Sequence, residues 1–326
     1  MQKVRMAIPN GHLGDPTLEI LRAAGYRISG EKRTYQPSIN DPGIHLRILR
    51  PQEIPIFVNE GIQDIGITGH DWVRETEADV EILLDLEYAP VSIVVAVPKD
   101  MMNVGSLGDL LRLFHSESRP LRIFTEYLTL TKRCLMGDST YRDLYGDLEP
   151  MVVTPWWRTG QNNRVVVYLS FGATEAKPPT AADAIVEVTD TGTSLEQNGL
   201  KSIQRLLTST AVLIANREAL NDELRREKIL DVAILLRGVV EGRKKLHIFI
   251  NVRHEKLSEL LGRLPALRSP TVSPLSDPDW VAVNTVVDRD EFLSLLPELR
   301  RLAQGLVVFE PRQVLPLERT ECVDID

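Results

Sequence analysis

Along the first hundred residues, short β-branched runs alternate with amphipathic stretches. The run at 4–8 is ended by Pro9, Asn10 and Gly11, and Asp15, Pro16 and Thr17 then open a helix through Leu18, Leu21 and Ala24 that stops at Gly25. Residues 45–51 read as a second strand; 51–60 supply a helix closed by Gly61, and 64–69 form a third strand running into a loop. That order predicts an α/β sheet whose loops collect at strand C-termini. Residues 83–86 and 92–97 read as the two strands that lead out of this first lobe.

A second cycle begins near 98–106, with a helix at 107–114, a strand at 121–124 and a helix at 128–136. The polar and aromatic stretch 137–163, with Trp156 and Trp157, has weak periodicity and predicts an irregular surface excursion. Strands return at 164–169 and 184–188, the latter followed by a Thr/Gly/Ser turn and a helix. A strand over 209–215 precedes a long helix over 218–243, whose Leu220, Leu224, Ile229, Val232, Ala233 and Leu236 fall at helical spacing, able to pack back on the first lobe. From 246 the strands 247–252, 280–287 and 306–309 alternate with the helices 256–264 and 291–302, and one further strand would complete the βαββαβ-like order of a small ferredoxin-like α+β sandwich. The pattern therefore predicts three units: a first lobe from 1–97 and 209–243, a second from 98–208, and a third over 244–326.

The length of 326 residues leaves room for that division. Lys and Arg number 38 against 46 Asp and Glu, a net charge of −8, which argues against nucleic acid or a membrane surface as partner. Any phosphate must be gripped locally. Two cysteines, Cys134 and Cys322, build neither a disulfide framework nor a four-ligand zinc site, and with no signal-peptide-like start a reducing, cytoplasmic setting is expected. The most apolar windows, such as 91–98, are too short to span a membrane.

The richest chemistry lies at 183–195. An apolar strand bearing Asp183 and Glu187 on one face runs into Asp190, Thr191, Gly192, Thr193 and Ser194 and then into a helix start. Backbone N–H groups, the helix dipole and hydroxyl donors converge there as a monophosphate would need, while the two acids could accept from sugar hydroxyls or hold a hydrated Mg²⁺. A plain helix cap with solvated acids is the alternative. The six histidines offer no i, i+4 metal pair, and nucleophile-elbow, Walker and dinucleotide motifs are missing. Arg50 ends a strand where it could meet a polyphosphate; as a surface cation it would need no ligand.

Taken together, Ile8-Pro-Asn-Gly-His-Leu13 with 16–25, Leu49-Arg-Pro-Gln-Glu-Ile-Pro55, Asp64-Ile-Gly-Ile-Thr-Gly-His-Asp71, the 183–200 segment, and Ser269-Pro-Thr-Val-Ser-Pro-Leu275 followed by Asp279-Trp-Val-Ala282 resemble one family. It is the ATP phosphoribosyltransferases that open histidine biosynthesis, in the long form with a C-terminal regulatory domain. The resemblance implies two α/β lobes folded like type II periplasmic binding proteins, plus a ferredoxin-like, ACT- or PII-like domain. It implies transfer of phosphoribosyl from phosphoribosyl pyrophosphate (PRPP) to N1 of ATP, with Mg²⁺ on the substrate phosphates and release of pyrophosphate.

On the same resemblance, Thr191, Gly192, Thr193 and Ser194 would hold the ribose 5-phosphate, with Asp190 beside them in the PRPP site, and Asp183 and Glu187 would face the ribose hydroxyls and Mg²⁺. Asn10, Gly11, His12, Leu13 and Arg50 would line the polyphosphate side, with Asp71 closing the wall and Tyr127 near the adenine or simply packed. Asn251, Leu267 and Thr271 would bind histidine as feedback inhibitor, or only stabilise an interface in a homo-oligomer, a hexamer in equilibrium with dimers. Two departures stand out. The family's first loop commonly has Lys-Gly-Arg-Leu where this chain has Asn10-Gly11-His12-Leu13, and Asp190 replaces a small neutral residue beside the phosphate turn. A non-catalytic ligand-binding relative is the alternative these changes motivate.

Overall fold

The structure, a computed structural model, describes residues 3–264 and 270–315. Two compact units divide the chain: Met1–Met6, Gly14–Ile48 and Ala219–Asp326 in one, Ala7–Leu13 and Leu49–Glu218 in the other.

The second unit contains a seven-stranded sheet in the order Arg158–Thr159, Pro150–Val153, Asn162–Leu169, Leu121–Thr125, Ala184–Thr189, Val91–Pro98, Leu200–Ser209. Its three middle strands are parallel, and the last two join antiparallel. Parallel strands covered on both faces are apolar throughout, which is why these runs stand out in the sequence. Residues 92–97, expected among the strands of the first lobe, lie here instead, paired along Ala184–Thr189 from Ala96 to Ser92. Helix Leu107–Ser116 is capped by Ser106, whose hydroxyl accepts from the Asp109 N–H at 3.1 Å, and it buries Leu110, Leu111 and Phe114 against Ile123, Val165 and Val167.

The five-stranded sheet runs Ile44–Leu49, Val4–Pro9, Ile65–Gly69, Ala211–Ala215, Glu81–Asp85, with Ala211–Ala215 antiparallel to both neighbours. The chain passes between the two sheets twice, at 86–90 and at Thr210. Two sheets joined by a double crossing follow the two-lobed, periplasmic-binding-protein-like plan.

The 137–163 excursion is regular, not irregular. Asp138 caps helix Ser139–Tyr145, accepting from the Tyr141 N–H at 3.1 Å, and Pro150–Val153 with Arg158–Thr159 extends the sheet edge as a hairpin. Fully buried Tyr141 donates its hydroxyl to the Leu148 carbonyl at 2.7 Å and accepts from the Asn162 amide at 2.8 Å. Short elements built on aromatics with polar partners leave no hydrophobic period to read.

In the first unit the expected helix over 218–243 is broken at Asp222. That residue caps Glu223–Lys244 by accepting from the Arg225 N–H at 3.0 Å. Residues 311–315 cross this helix as a strap: the Val314 N–H donates to the Gly238 carbonyl at 2.8 Å, and the Gln313 amide to that of Leu235 at 3.2 Å. A Cβ on Gly242 would lie 3.0 Å from the Pro311 carbonyl oxygen. Arg312 reaches the end of helix Gly14–Ala23, donating to the Ala23 carbonyl at 2.7 Å.

The C-terminal sheet has the order Thr271–Pro274, Trp280–Asp288, Lys245–Arg253, Ala303–Phe309, antiparallel throughout, with helices Leu257–Leu261 and Arg289–Leu302. This is the ferredoxin-like order. Its core holds Ile248, Ile250, Val252, Leu260, Val283 and Leu302. Strand Thr271–Pro274 is exposed at every position, so it carries no alternation in sequence.

Candidate active site

Within the second unit, a cavity of about 240 Å³ opens where strand C-termini of both sheets meet the two crossings. Asn10, Gly11, His12 and Leu13 reach it after strand Val4–Pro9, Arg50 and Gln52 after Ile44–Leu49, and Asp71 and Trp72 after Ile65–Gly69. The other sheet supplies Glu126 and Tyr127 after Leu121–Thr125, and Glu187 and Val188 from Ala184–Thr189. Ala89, Val91, Ser209 and Thr210 come from the crossings. A crevice outside strand carboxyl ends is where α/β sheets bind ligands, because helix N-termini and free loops converge there.

Asp71 is the centre of one wall. Both carboxylate oxygens are used: the Tyr127 hydroxyl donates to Oδ2 at 2.7 Å and the Ser209 hydroxyl to Oδ1 at 2.6 Å, while the Asp71 N–H donates back to Ser209 Oγ at 2.9 Å. Gly69 makes this possible, since a Cβ there would stand 2.2 Å from Asp71 Oδ1. Trp72 stacks on the Tyr127 ring, with centroids 4.6 Å apart and planes at 21°. Burial first, then the Asp71 charge, raises the Tyr127 pKa far above its ordinary value, so the phenol stays protonated.

Glu187 lines the cavity from strand Ala184–Thr189. Burial pushes its pKa up, with the charges of Glu175 and Glu126 adding to the shift. The Val188 N–H, donating at 2.9 Å, and the Thr174 hydroxyl favour the ionised form. Behind Thr174, its hydroxyl and that of Ser170 lie 2.9 Å apart, and the Lys177 ammonium donates to Ser170 Oγ. Glu175 accepts from the Ser194 hydroxyl at 2.9 Å, tying the Thr-Gly-Thr-Ser turn to the same loop.

The sequence candidates divide accordingly. Asn10, Gly11, His12, Leu13, Arg50, Asp71, Tyr127 and Glu187 line the cavity. Thr191, Gly192, Thr193 and Ser194 form the turn at the end of the Glu187 strand, where Gly192 takes φ 82° and opens helix Thr193–Gln197. They do not line that cavity; Asp190 borders a neighbouring one of about 700 Å³ with His70, Asp85 and Ser92. Asp183 corrects the expectation that it faces the ligand. Its carboxylate accepts from Arg119 at 2.8 Å and from Arg122 at 3.0 and 3.1 Å, it is only 2% exposed, and it stands one residue before the strand rather than near its C-terminal end. Glu187 shares its face but lies four residues further on.

Asn251 and Thr271 are exposed on one face of the C-terminal sheet, Asn251 opposite Ala282 and Gly305, Thr271 opposite Asn284. Leu267 lies outside the described residues. Glu126 belongs to the Thr125-Glu126-Tyr127 loop that resembles the family's segment near the nucleotide; Trp72, Gln52, Ser209, Ser170, Thr174 and Lys177 carry no role in the sequence reading and become visible only by contact.

Among the described residues no cluster of three His, Cys, Asp or Glu side chains could hold a metal ion. Asp71 and Asp183 have both oxygens occupied by protein donors. Glu187 and Glu126 both line the cavity, carboxylates of the kind that complete, one or two at a time, the shell of a Mg²⁺ ion carried on phosphates.

Residues 50–238 match the family model for ATP phosphoribosyltransferase, and residues 242–312 match that for the HisG C-terminal domain. An ATP phosphoribosyltransferase of Pelotomaculum thermopropionicum is 36% identical over 320 residues, covering 96% of this chain and 100% of the relative. That of Desulforudis audaxviator is 34% identical with the same coverage. Among solved structures, the HisG:HisZ ATP phosphoribosyl transferase complex of Thermotoga maritima matches 73% of this chain and 98% of its own, at a TM-score of 0.55 and 22% identity, a likeness of fold. The chain belongs to the ATP phosphoribosyltransferase family, in the long form that carries the C-terminal domain.

Proposed function

We propose that this enzyme joins N1 of the ATP adenine to C1 of the PRPP ribose, releasing pyrophosphate, the first step of histidine biosynthesis, and does so in the cavity between Asp71 and Glu187. One observation carries the reading: a single cavity gathers loops from both sheets and is lined by a buried carboxylate, Glu187, on the strand that runs into the Thr-Gly-Thr-Ser turn four residues on.

As N1 attacks, the bond from C1 to the pyrophosphate oxygen breaks and its electron pair leaves with the pyrophosphate. Positive charge gathers on the ribose ring, where the Glu187 carboxylate would stabilise it. The 191–194 turn would hold the 5-phosphate through backbone N–H groups and hydroxyls. Arg50 and the 10–13 loop would face the leaving polyphosphate, and the Tyr127 wall the adenine. When bound, Mg²⁺ neutralises charge developing on the pyrophosphate. No protein nucleophile is required, since positioning and electrostatics supply the rate.

We further assign the two sheets to two catalytic lobes and residues 244–326 to a regulatory domain, with histidine bound by Asn251 and Thr271 on the C-terminal sheet together with Leu267. A cytoplasmic homo-oligomer, hexamer or dimer, completes the reading. Purified chain mixed with ATP, PRPP, Mg²⁺ and pyrophosphatase should form phosphoribosyl-ATP, read by ultraviolet absorbance. No product at high enzyme overturns the transferase reading and favours the non-catalytic relative. Insensitivity to added histidine overturns the regulatory part alone.

A further inference from the structure

The wall made by Asp71, Trp72 and Tyr127 depends on how two helices meet, one following a strand of each sheet. Helix His70–Thr76 follows Ile65–Gly69, and helix Leu128–Gly137 follows Leu121–Thr125. The second helix begins without a cap of its own, because its N-cap residue is Tyr127, whose side chain makes no capping bond. Its leading N–H groups are met from the other helix: Thr129 donates to Glu75 Oε1 at 2.9 Å and Leu130 to Glu75 Oε2 at 3.0 Å. A carboxylate there is favoured by charge-assisted bonding and by the positive end of the dipole.

Glu75 lies one turn beyond Asp71, so a single helix face presents two carboxylates to consecutive groups of the neighbouring helix. Asp71 takes the Tyr127 hydroxyl, Glu75 takes the next two backbone donors, and Trp72 stacks on the Tyr127 ring between them. The remaining link, Glu77 with Arg133, is exposed at 54% and 56% and contributes little. A local Ser or Asp at position 127 would cap the helix without help. Capping from a distance instead ties the position of the Tyr127 wall to the helix that carries Asp71.

We propose that Glu75 is a positioning residue for the transferase: by capping helix Leu128–Gly137 from its neighbour it holds Tyr127 and Asp71 in register on the nucleotide side of the cavity. This rests on the reading above that Tyr127 faces the adenine. The test compares the full-length chain with Glu75→Ala and Glu75→Gln by amide hydrogen exchange at Thr129 and Leu130 and by steady-state kinetics for each substrate. Glu75→Ala should exchange those amides at least about tenfold faster. It should raise KM for ATP about tenfold while KM for PRPP stays within about twofold. Glu75→Gln, which offers one acceptor oxygen to the two N–H groups, should fall between, with exchange and KM for ATP each about threefold above wild type, and carries the test if Glu75→Ala does not fold. Unchanged exchange in the variants overturns the cap. Faster exchange with wild-type kinetic constants overturns the positioning role, as does an equal loss for both substrates with a lowered melting temperature. A wild-type chain without activity overturns the proposed function, and the positioning role with it, while the exchange arm still decides the cap.

Discussion

Asp183 offers the sharpest division between a ligand-facing and a structural acid. Oδ1 accepts from Arg119 at 2.8 Å and Arg122 Nη2 at 3.0 Å; Oδ2 accepts from the Arg122 backbone N–H at 2.9 Å and its Nε at 3.1 Å. The carboxylate is buried, whereas Arg119 and Arg122 are 48% and 31% exposed and can recover water when released. Asp183→Ala should therefore cost about 3 kcal/mol, the low end for a broken buried pair. Asp183→Asn, keeping shape but losing charge, should cost about 2 kcal/mol. Arg119→Ala, at the exposed end, should cost less than about 1 kcal/mol.

Burial alone would raise the Asp183 pKa, but hydrogen bonds from Arg122 and Arg119 more than offset it and the net direction is down. A depressed folded pKa gives stability that is present above the unfolded value of about 4 and lost as pH falls through the folded value. The gap between wild type and Asp183→Asn should accordingly be full at pH 7 and shrink below about pH 4. Urea unfolding followed by circular dichroism measures the ranking, and PRPP kinetics the alternative. A raised KM for PRPP with an unchanged unfolding midpoint in Asp183→Asn would refute the structural assignment.

Tyr127→Phe leaves Asp71 Oδ2 without its donor in a buried wall, and should destabilise by about 1–2 kcal/mol in thermal unfolding while raising KM for ATP. Thr191→Val removes a hydroxyl from the turn and should raise KM for PRPP about tenfold with little change in KM for ATP; unchanged kinetics would count against the phosphate assignment. Gly242→Leu should push the strap off helix Glu223–Lys244, at a cost of about 1–3 kcal/mol read as a lower melting temperature.

The strands at 4–8, 64–69, 164–169 and 184–188 are legible because burial on both faces makes each a near-continuous apolar run. Residues 92–97 read as a strand of the first lobe but pair in the other sheet, since an apolar run does not name its neighbour. The Asp183 error has a similar cause. Period two puts Asp183 and Glu187 on one face, but the cations that claim Asp183 come from 61 and 64 residues away in sequence. Glu75 left a faint sign, in that the helix after Tyr127 lacks any capping residue, although its partner lies on another helix.

The strap over Gly238 and Gly242 alters what the chain's apparent modularity means. The two family models meet between residues 238 and 242, which invites treating everything beyond as a removable cassette. Yet residues 312–314 bond back to helices Gly14–Ala23 and Glu223–Lys244, so cutting after Arg243 would strip donors from helix carbonyls and cover from both. A truncated chain that ignored histidine would report damage to its remainder rather than loss of a sensor. The fusion is woven rather than appended, and the histidine regulation proposed above has to be tested by point substitution in the intact protein.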